Sequence, residues 1–222
     1  MRAYLFISPD DLSALEQDPT GVGLSPDVAS SSAPALAPER SAYRSPFQAM
    51  KTADDLHTTM CVIDVEGDME VDYRQDKLPL QGKNWTILKS LDASPLLRLF
   101  AVELAEASLA NFESKFTNDA RPRAAIEASK AYAAQPSEAN LRKLMEKRND
   151  ALAACRYATL QKASSAVRAA SLAVSASELS SRWAAHSAAV LHPARSEQER
   201  KTSNPSSYAL FSKLVDAAFA KV

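Results

Sequence analysis

Ser94-Pro95-Leu96-Leu97-Arg98-Leu99-Phe100-Ala101-Val102-Glu103-Leu104-Ala105-Glu106-Ala107-Ser108-Leu109 is the stretch on which the fold turns. Serine followed by proline supplies an N-cap and a residue whose φ is already set for the first helical position. Leu96, Leu97, Phe100, Leu104 and Leu109 then recur near helical spacing, which predicts an amphipathic helix to about Phe116.

Downstream the punctuation continues. Thr117-Asn118-Asp119 closes the first helix and opens a second, Ala120 to Ala134, with Pro122 tolerated in its first turn. Gln135-Pro136-Ser137 punctuates again. A third helical region runs on through Leu141, Leu144, Met145, Leu152, Tyr157 and Leu160, and no proline follows until Pro193. More than fifty residues without proline exceed ordinary helix length, so a break is expected near Ser164-Ser165 or Ser175-Ala176-Ser177. Ser177-Glu178 then caps a helix carrying Leu179, Trp183 and Val190, which His192-Pro193 stops. After a polar linker, Ser206 to Lys221 forms a last amphipathic helix on Tyr208, Leu210, Phe211, Leu214, Val215 and Phe219. Alanine fills 32 of the 130 residues after Asp92, which favours helix and lets helix axes approach closely.

Upstream the grammar differs. Ala3-Tyr4-Leu5-Phe6-Ile7 reads as a buried strand stopped by Ser8-Pro9, and residues 10 to 16 as a short helix with acidic residues at its positive end. The stretch from about 20 to 45, broken by Pro26, Pro34 and Pro38, reads as a mobile loop. Met60-Cys61-Val62-Ile63-Asp64-Val65 and Met69-Glu70-Val71-Asp72-Tyr73-Arg74 read as a β-hairpin around Glu66-Gly67-Asp68. Asn84 to Leu91 is expected to form a short helix capped by Asn84. The fold class is therefore α+β and mainly α. Residues 1–92 form an acidic β-containing module, and residues 93–222 form a helical domain.

Charge follows the same division. Residues 1–92 hold 8 Lys+Arg against 15 Asp+Glu, a net of −7, while residues 93–222 hold 18 against 12, a net of +6. Two regions with different partners, or two that attract each other, both fit such a split. At 222 residues the chain is long enough to remove roughly 70% of its unfolded surface from water. No apolar run approaches membrane-spanning length, and the start is too short for a signal peptide, so the expectation is a cytoplasmic chain without membrane contact. Cys61 and Cys155, 94 positions apart, support no disulfide framework or clustered metal site.

Leu96 to Glu106, the Phe112-Glu113 step and Asp119-Ala120-Arg121-Pro122-Arg123-Ala124-Ala125-Ile126-Glu127-Ala128 lead into alanine-rich helices with Trp183-Ala184-Ala185. Over residues 94 to 190 this pattern resembles a family of immunity proteins from bacteria and phages. Its most specific part is Arg121-Pro122-Arg123 to Glu127. The resemblance implies a protein that neutralises a toxin or nuclease by binding it, and it brings no catalytic residues. Related phage domains imply an alternative, an anti-CRISPR or similar factor that disables a host defence effector. A third reading is an oligomeric structural or assembly protein, its alanine-rich helices packing between copies.

The most conspicuous polar feature is the row Asp64, Glu66, Asp68, Glu70 and Asp72 at period two. Residues on one face of a strand repeat about every 6.6 Å and phosphates about every 3.4 Å along a DNA strand, so such a row could occupy a partner's nucleic-acid groove. The alternative is a solvated face that protects an edge strand. A Mg²⁺ or Ca²⁺ site would need a loop pattern that is absent here. Arg121 and Arg123 flank Pro122 with Glu127 one turn on, either a recognition patch or an ion-pair arrangement at the start of a helix. Arg142, Lys143, Lys147 and Arg148 make a basic helical surface without the interleaved aromatics that nucleic-acid binding favours. Trp85, Trp183 and Tyr73 are the large amphipathic residues suited to a binding hot spot.

Catalysis finds few materials. His57, His186 and His192 stand in separate contexts, Cys61 lies in an apolar strand, and four glycines cannot build a phosphate cradle. The expectation is a protein without enzymatic activity, cofactor, metal or direct nucleic-acid contact, whose partner is a protein. Asp64, Glu66, Asp68, Glu70, Asp72, Arg121 and Arg123 are its candidate partner-binding residues.

Overall fold

The computed structural model describes residues 2–10, 12–13, 42–52, 58–66, 84–191 and 207–222. Their elements run β1 (Arg2–Ile7), α1 (Pro46–Thr52), β2 (Thr59–Glu66), β3 (Asn84–Asp92), α2 (Ser94–Glu113), α3 (Arg121–Ala134), α4 (Glu138–Leu160), α5 (Ser164–Ala176), α6 (Ser181–Leu191) and α7 (Ser207–Phe219). The protein is α+β and mainly α, with a small antiparallel sheet near its N-terminus. Two compact units divide the chain, Ser94–Leu210 as one and Met1–Ala93 with Phe211–Val222 as the other. The break at Ala93 lies within a residue of the charge boundary. The last twelve residues, however, group with the acidic module and not with the helical half where their pattern alone places them.

In the first unit the strands are ordered β1-β2-β3, all antiparallel, with Leu5 opposite Cys61 and Cys61 opposite Ser90. Both edges of β2 are thus taken along Thr59 to Asp64, so the hairpin expected between 60–65 and 69–74 is replaced by pairing to β1 and β3. Residues 67–83 lie outside the described residues. The short helix expected over 84–91 is also overturned, because this run is β3. Thr86 and Ile87 suit a strand, and the open edge of β2 offers the backbone hydrogen bonds that eight isolated residues cannot secure as a helix.

Alternation along the strands sends Ala3, Leu5, Ile7, Cys61, Ile63 and Val65 into one core with Ala42. The other face is covered too, since Phe6, Met60 and Val62 are buried. Between Val62 and Ile63 the register slips, leaving Leu88 as an extra residue on β3 that stands half exposed. Phe211 of α7 meets Phe47 of α1 edge to face at 6.2 Å between ring centroids. Lys89 Nζ donates to the Phe219 carbonyl at 3.1 Å, placing a positive charge at the C-terminal end of α7 where the helix dipole favours it.

The end of the expected 20–45 loop is ordered, with Tyr43 bridged to Tyr4. Residues 20–41 lie outside the described residues. Directly after comes α1, an element not anticipated. Its start repeats the grammar of Ser94-Pro95: Ser45 Oγ accepts from Gln48 N at 3.4 Å, and Pro46 opens the helix.

The second unit is an all-helical array in which α2 lends the widest buried surface. Leu97, Phe100, Ala101, Ala105 and Phe112 are fully buried, together with Arg98 at 3% exposure. Each large apolar side chain so enclosed contributes roughly 1.5–3 kcal/mol relative to an exposed one. Opposite it, α5 presents Ala166, Ala169, Ala170, Ala173 and Ala176, whose small side chains let the two helices approach closely. Phe112 fills the space between Ala154, Ala158, Ala166, Ala169 and Ala170. Ser137 caps α4 by accepting from Asn140 N at 3.2 Å. The long proline-free region breaks at Gln161-Lys162-Ala163, where Lys162 takes φ +52°, and again between Ala176 and Ser181. Both expected serine clusters therefore lie at real breaks. Ser180 and not Ser177 caps α6, accepting from Trp183 N at 3.1 Å.

Candidate functional site

Two of the five carboxylates in the acidic row, Asp64 and Glu66, fall on β2, while Asp68, Glu70 and Asp72 lie outside the described residues. Asp64 points to the same side as Met60 and Val62, which are buried, so this face is not solvated along its whole length. The register sets Asp64 opposite Arg2. Its carboxyl is held below the ordinary carboxylate range by hydrogen bonding and by nearby positive charge that includes Arg2. The row therefore begins at a carboxylate already balanced by positive charge.

Arg121 and Arg123 are each engaged. Asp119 accepts from the backbone N of Arg121 at 3.1 Å and from Nε and Nη2 of its guanidinium at 2.8 and 2.6 Å. Arg123 reaches back to Glu113 at the end of α2 with a second two-pronged contact at 2.6 and 2.7 Å. Arg hydrogen bonds lower both carboxyls below their ordinary values. Glu127, the partner that spacing suggests, pairs instead with Lys130, which also binds Glu106 at 2.6 Å. These contacts join the end of α2 to the beginning of α3, and the planar fork of arginine suits them better than lysine would. Three of the four basic residues of the α4 surface are similarly occupied. Arg142 pairs with Glu138, Lys147 with Glu146 and Asp150, and Arg148 with Glu178.

Spacing alone did not reveal the polar centre of the helical unit, which gathers around the α5–α6 connection. Arg98 Nη1 donates to the carbonyls of Glu178 at 2.7 Å and Ala176 at 3.4 Å, and Nη2 donates to Leu179 at 2.8 Å. Its guanidinium lies 5.2 Å from the ring centroid of Tyr132. Burial lowers the Arg98 pKa, while Tyr132 and the Glu178 carboxylate partly offset that effect. Ser129 Oγ donates to Ala176 O at 2.6 Å, Ser177 Oγ to Ala173 O at 2.7 Å, and Arg148 Nη2 to the Glu178 carboxylate at 2.6 Å. Helices α2, α3 and α4 thus converge on one connection, where Arg98 and Ser129 satisfy carbonyls at and after the end of α5 and Arg148 holds the Glu178 carboxylate. The one available signal was Arg98 inside an apolar run, Leu96-Leu97-Arg98-Leu99-Phe100.

Several large apolar side chains of this unit stand open to solvent. Trp183 and Val190 on α6 are 46% and 64% exposed, and Tyr157 and Leu160 on α4 are 45% and 78% exposed. Arg182 lies 4.9 Å from the Trp183 ring centroid, and His186 meets that ring edge-on at 5.9 Å. Trp85 pairs opposite Val65 on β3, and Tyr73 lies outside the described residues. Cys61 is buried in the sheet core, and Cys155 Sγ lies 3.2 Å from Ser171 Oγ. His57 and His192 are outside the described residues. Among the described residues no group of three His, Cys, Asp or Glu could hold a metal ion, and no helix is long and apolar enough to cross a membrane. No family model, curated protein or solved structure matches the chain.

Proposed function

We propose that this chain is a non-catalytic, stoichiometric protein-binding inhibitor, similar to an immunity protein that neutralises a toxin or nuclease. The observation that carries the reading is the pairing of a pinned scaffold with exposed anchors. Buried polar contacts around Arg98 hold the helices of the second unit in place, while Trp183, Val190, Tyr157 and Leu160 remain open to solvent. Rigid presentation of large apolar and aromatic side chains lowers the ordering cost of association and supplies the residue types that dominate binding energy. The resemblance over residues 94 to 190 points the same way.

The test is affinity capture with the tagged full chain from bacterial lysates, followed by titration of the captured protein's own toxic or nucleolytic activity. One protein recovered at equimolar ratio, whose activity falls to zero at one equivalent, is the expected result. A CRISPR or other defence effector in that position would select the anti-defence version of the same mechanism. Recovery of the chain alone, with a light-scattering mass above 24.0 kDa, would replace the proposal with self-assembly. Neutralising Asp64, Glu66, Asp68, Glu70 and Asp72 together, and separately Arg121 and Arg123, assigns the interface. Loss of affinity and of its salt dependence in the first variant places it on the acidic row.

A further inference from the structure

We propose that the end of the helical unit around Tyr157 and Leu160 is a docking surface for a protein whose contact face is acidic and carries an apolar pocket. This rests on the protein-binding reading above and gives that partner its chemistry. Phe112, fully buried, meets Phe116 in a tilted contact at 5.0 Å, and Phe116 lies 5.3 Å from Tyr157, so the core opens to solvent through a continuous aromatic file. Leu160 stands one turn beyond Tyr157 on the same helix face and is 78% exposed. Lys115, Arg156, Lys162 and Arg168 are exposed at this same end, after α2, in the last turns of α4, in the α4–α5 turn and early in α5.

These four cations differ from the others nearby. Arg121, Arg123, Lys130 and Lys147 are each closed by a carboxylate, whereas none of the four forms an ion pair among the described residues. A cluster of like charge without counter-charge favours an anionic partner, and an aromatic anchor within a basic rim is the composition found at protein interfaces. A nucleic acid fits less well. Tyr157 offers one exposed aromatic ring, while the most prominent side chain, Leu160, is aliphatic and offers no stacking face to a base.

A peptide-display selection from a random library against the immobilised full chain tests the proposal. Enriched sequences should combine Asp or Glu with a large apolar residue. The affinity of the synthesised peptides should fall about tenfold for Leu160→Ser, and again for Arg156→Glu combined with Lys162→Glu. It should also weaken with added salt. All three positions are exposed, so an unchanged thermal midpoint will certify that each variant is folded.

Selection without acidic bias, or peptides indifferent to both variants, would overturn the proposal. So would a labelled single-stranded oligonucleotide whose binding the same variants abolish, which assigns the surface to nucleic acid, or a dimer that Leu160→Ser dissolves, which assigns it to a second copy. A partner captured equally well by wild type and both variants defeats this surface alone and leaves the inhibitor reading standing. If no partner is captured or inhibited at all, it is the inhibitor reading that fails.

Discussion

Arg98 sits at the polar centre of the helical unit. It is a buried cation whose counter-charge is distributed over backbone carbonyls, with Tyr132 and Glu178 close by. Arg98→Met keeps much of the apolar stem but removes the donors to Glu178 and Leu179, while Ala176 O keeps its bond from Ser129 Oγ. Leaving buried acceptors unpaired costs about 1–3 kcal/mol each, so urea denaturation should show a loss of about 2 kcal/mol or more. A loss below about 1 kcal/mol would mean that water replaces the guanidinium and that this centre is not what holds the connection. At the surface, Asp119 and Glu113 give a pH signature. Their folded carboxyls titrate below the ordinary value of about 4, so the stability they contribute is complete above that pH and is lost as pH falls through the folded values. The urea midpoint should therefore decline on acidification below about pH 4, and Asp119→Asn should flatten that decline.

At the scale of elements, helix starts are the most legible feature. Ser137 caps α4 as its place after Pro136 suggests, and Ser137→Ala should cost about 1 kcal/mol in urea denaturation. Ser45-Pro46 shows that the same signal went unread when no long apolar periodicity followed it. Ends and breaks were less legible. The α4–α5 break depends on Lys162 in the left-handed region, where a branched side chain is strongly disfavoured. Lys162→Gly should leave stability unchanged or raise it by less than about 1 kcal/mol, whereas Lys162→Val should lower it by about 1–2 kcal/mol. Both are read by thermal unfolding. The residues of β3 were misread because eight residues with an asparagine cap satisfy a helical pattern locally. Only the open edge of β2 decides otherwise.

At the scale of the whole molecule, the chain returns to its beginning. Phe211, Val215 and Phe219 present a helical stripe that any amphipathic helix could show, yet most of α7 belongs to the unit that contains the sheet. Phe211→Ala should therefore destabilise that unit, by about 3–5 kcal/mol. Hydrogen exchange should report the change at β2 amides such as Met60 and Val62 more than in α2. Equal loss across α2 would show that the two units unfold together.

The sequence by itself determined what depends on neighbours a few residues away: the mainly helical α+β class, the helices from Ser94 to Leu191 and the buried strand at residues 3 to 7. It also held the candidate residues Arg121 and Arg123, though not their partners, because Glu127 is the near carboxylate in sequence while Glu113 is the one that folding brings within 2.6 Å. Tertiary structure alone decided the pairing of β2 with β1 and β3, the grouping of α7 with the N-terminal unit, and the placing of Arg98 against carbonyls about eighty positions away. The physical reason is common to all three. A periodic pattern specifies which face of an element will be buried, but the backbone groups and charges left over after local structure forms are satisfied only by whatever the rest of the chain brings to them.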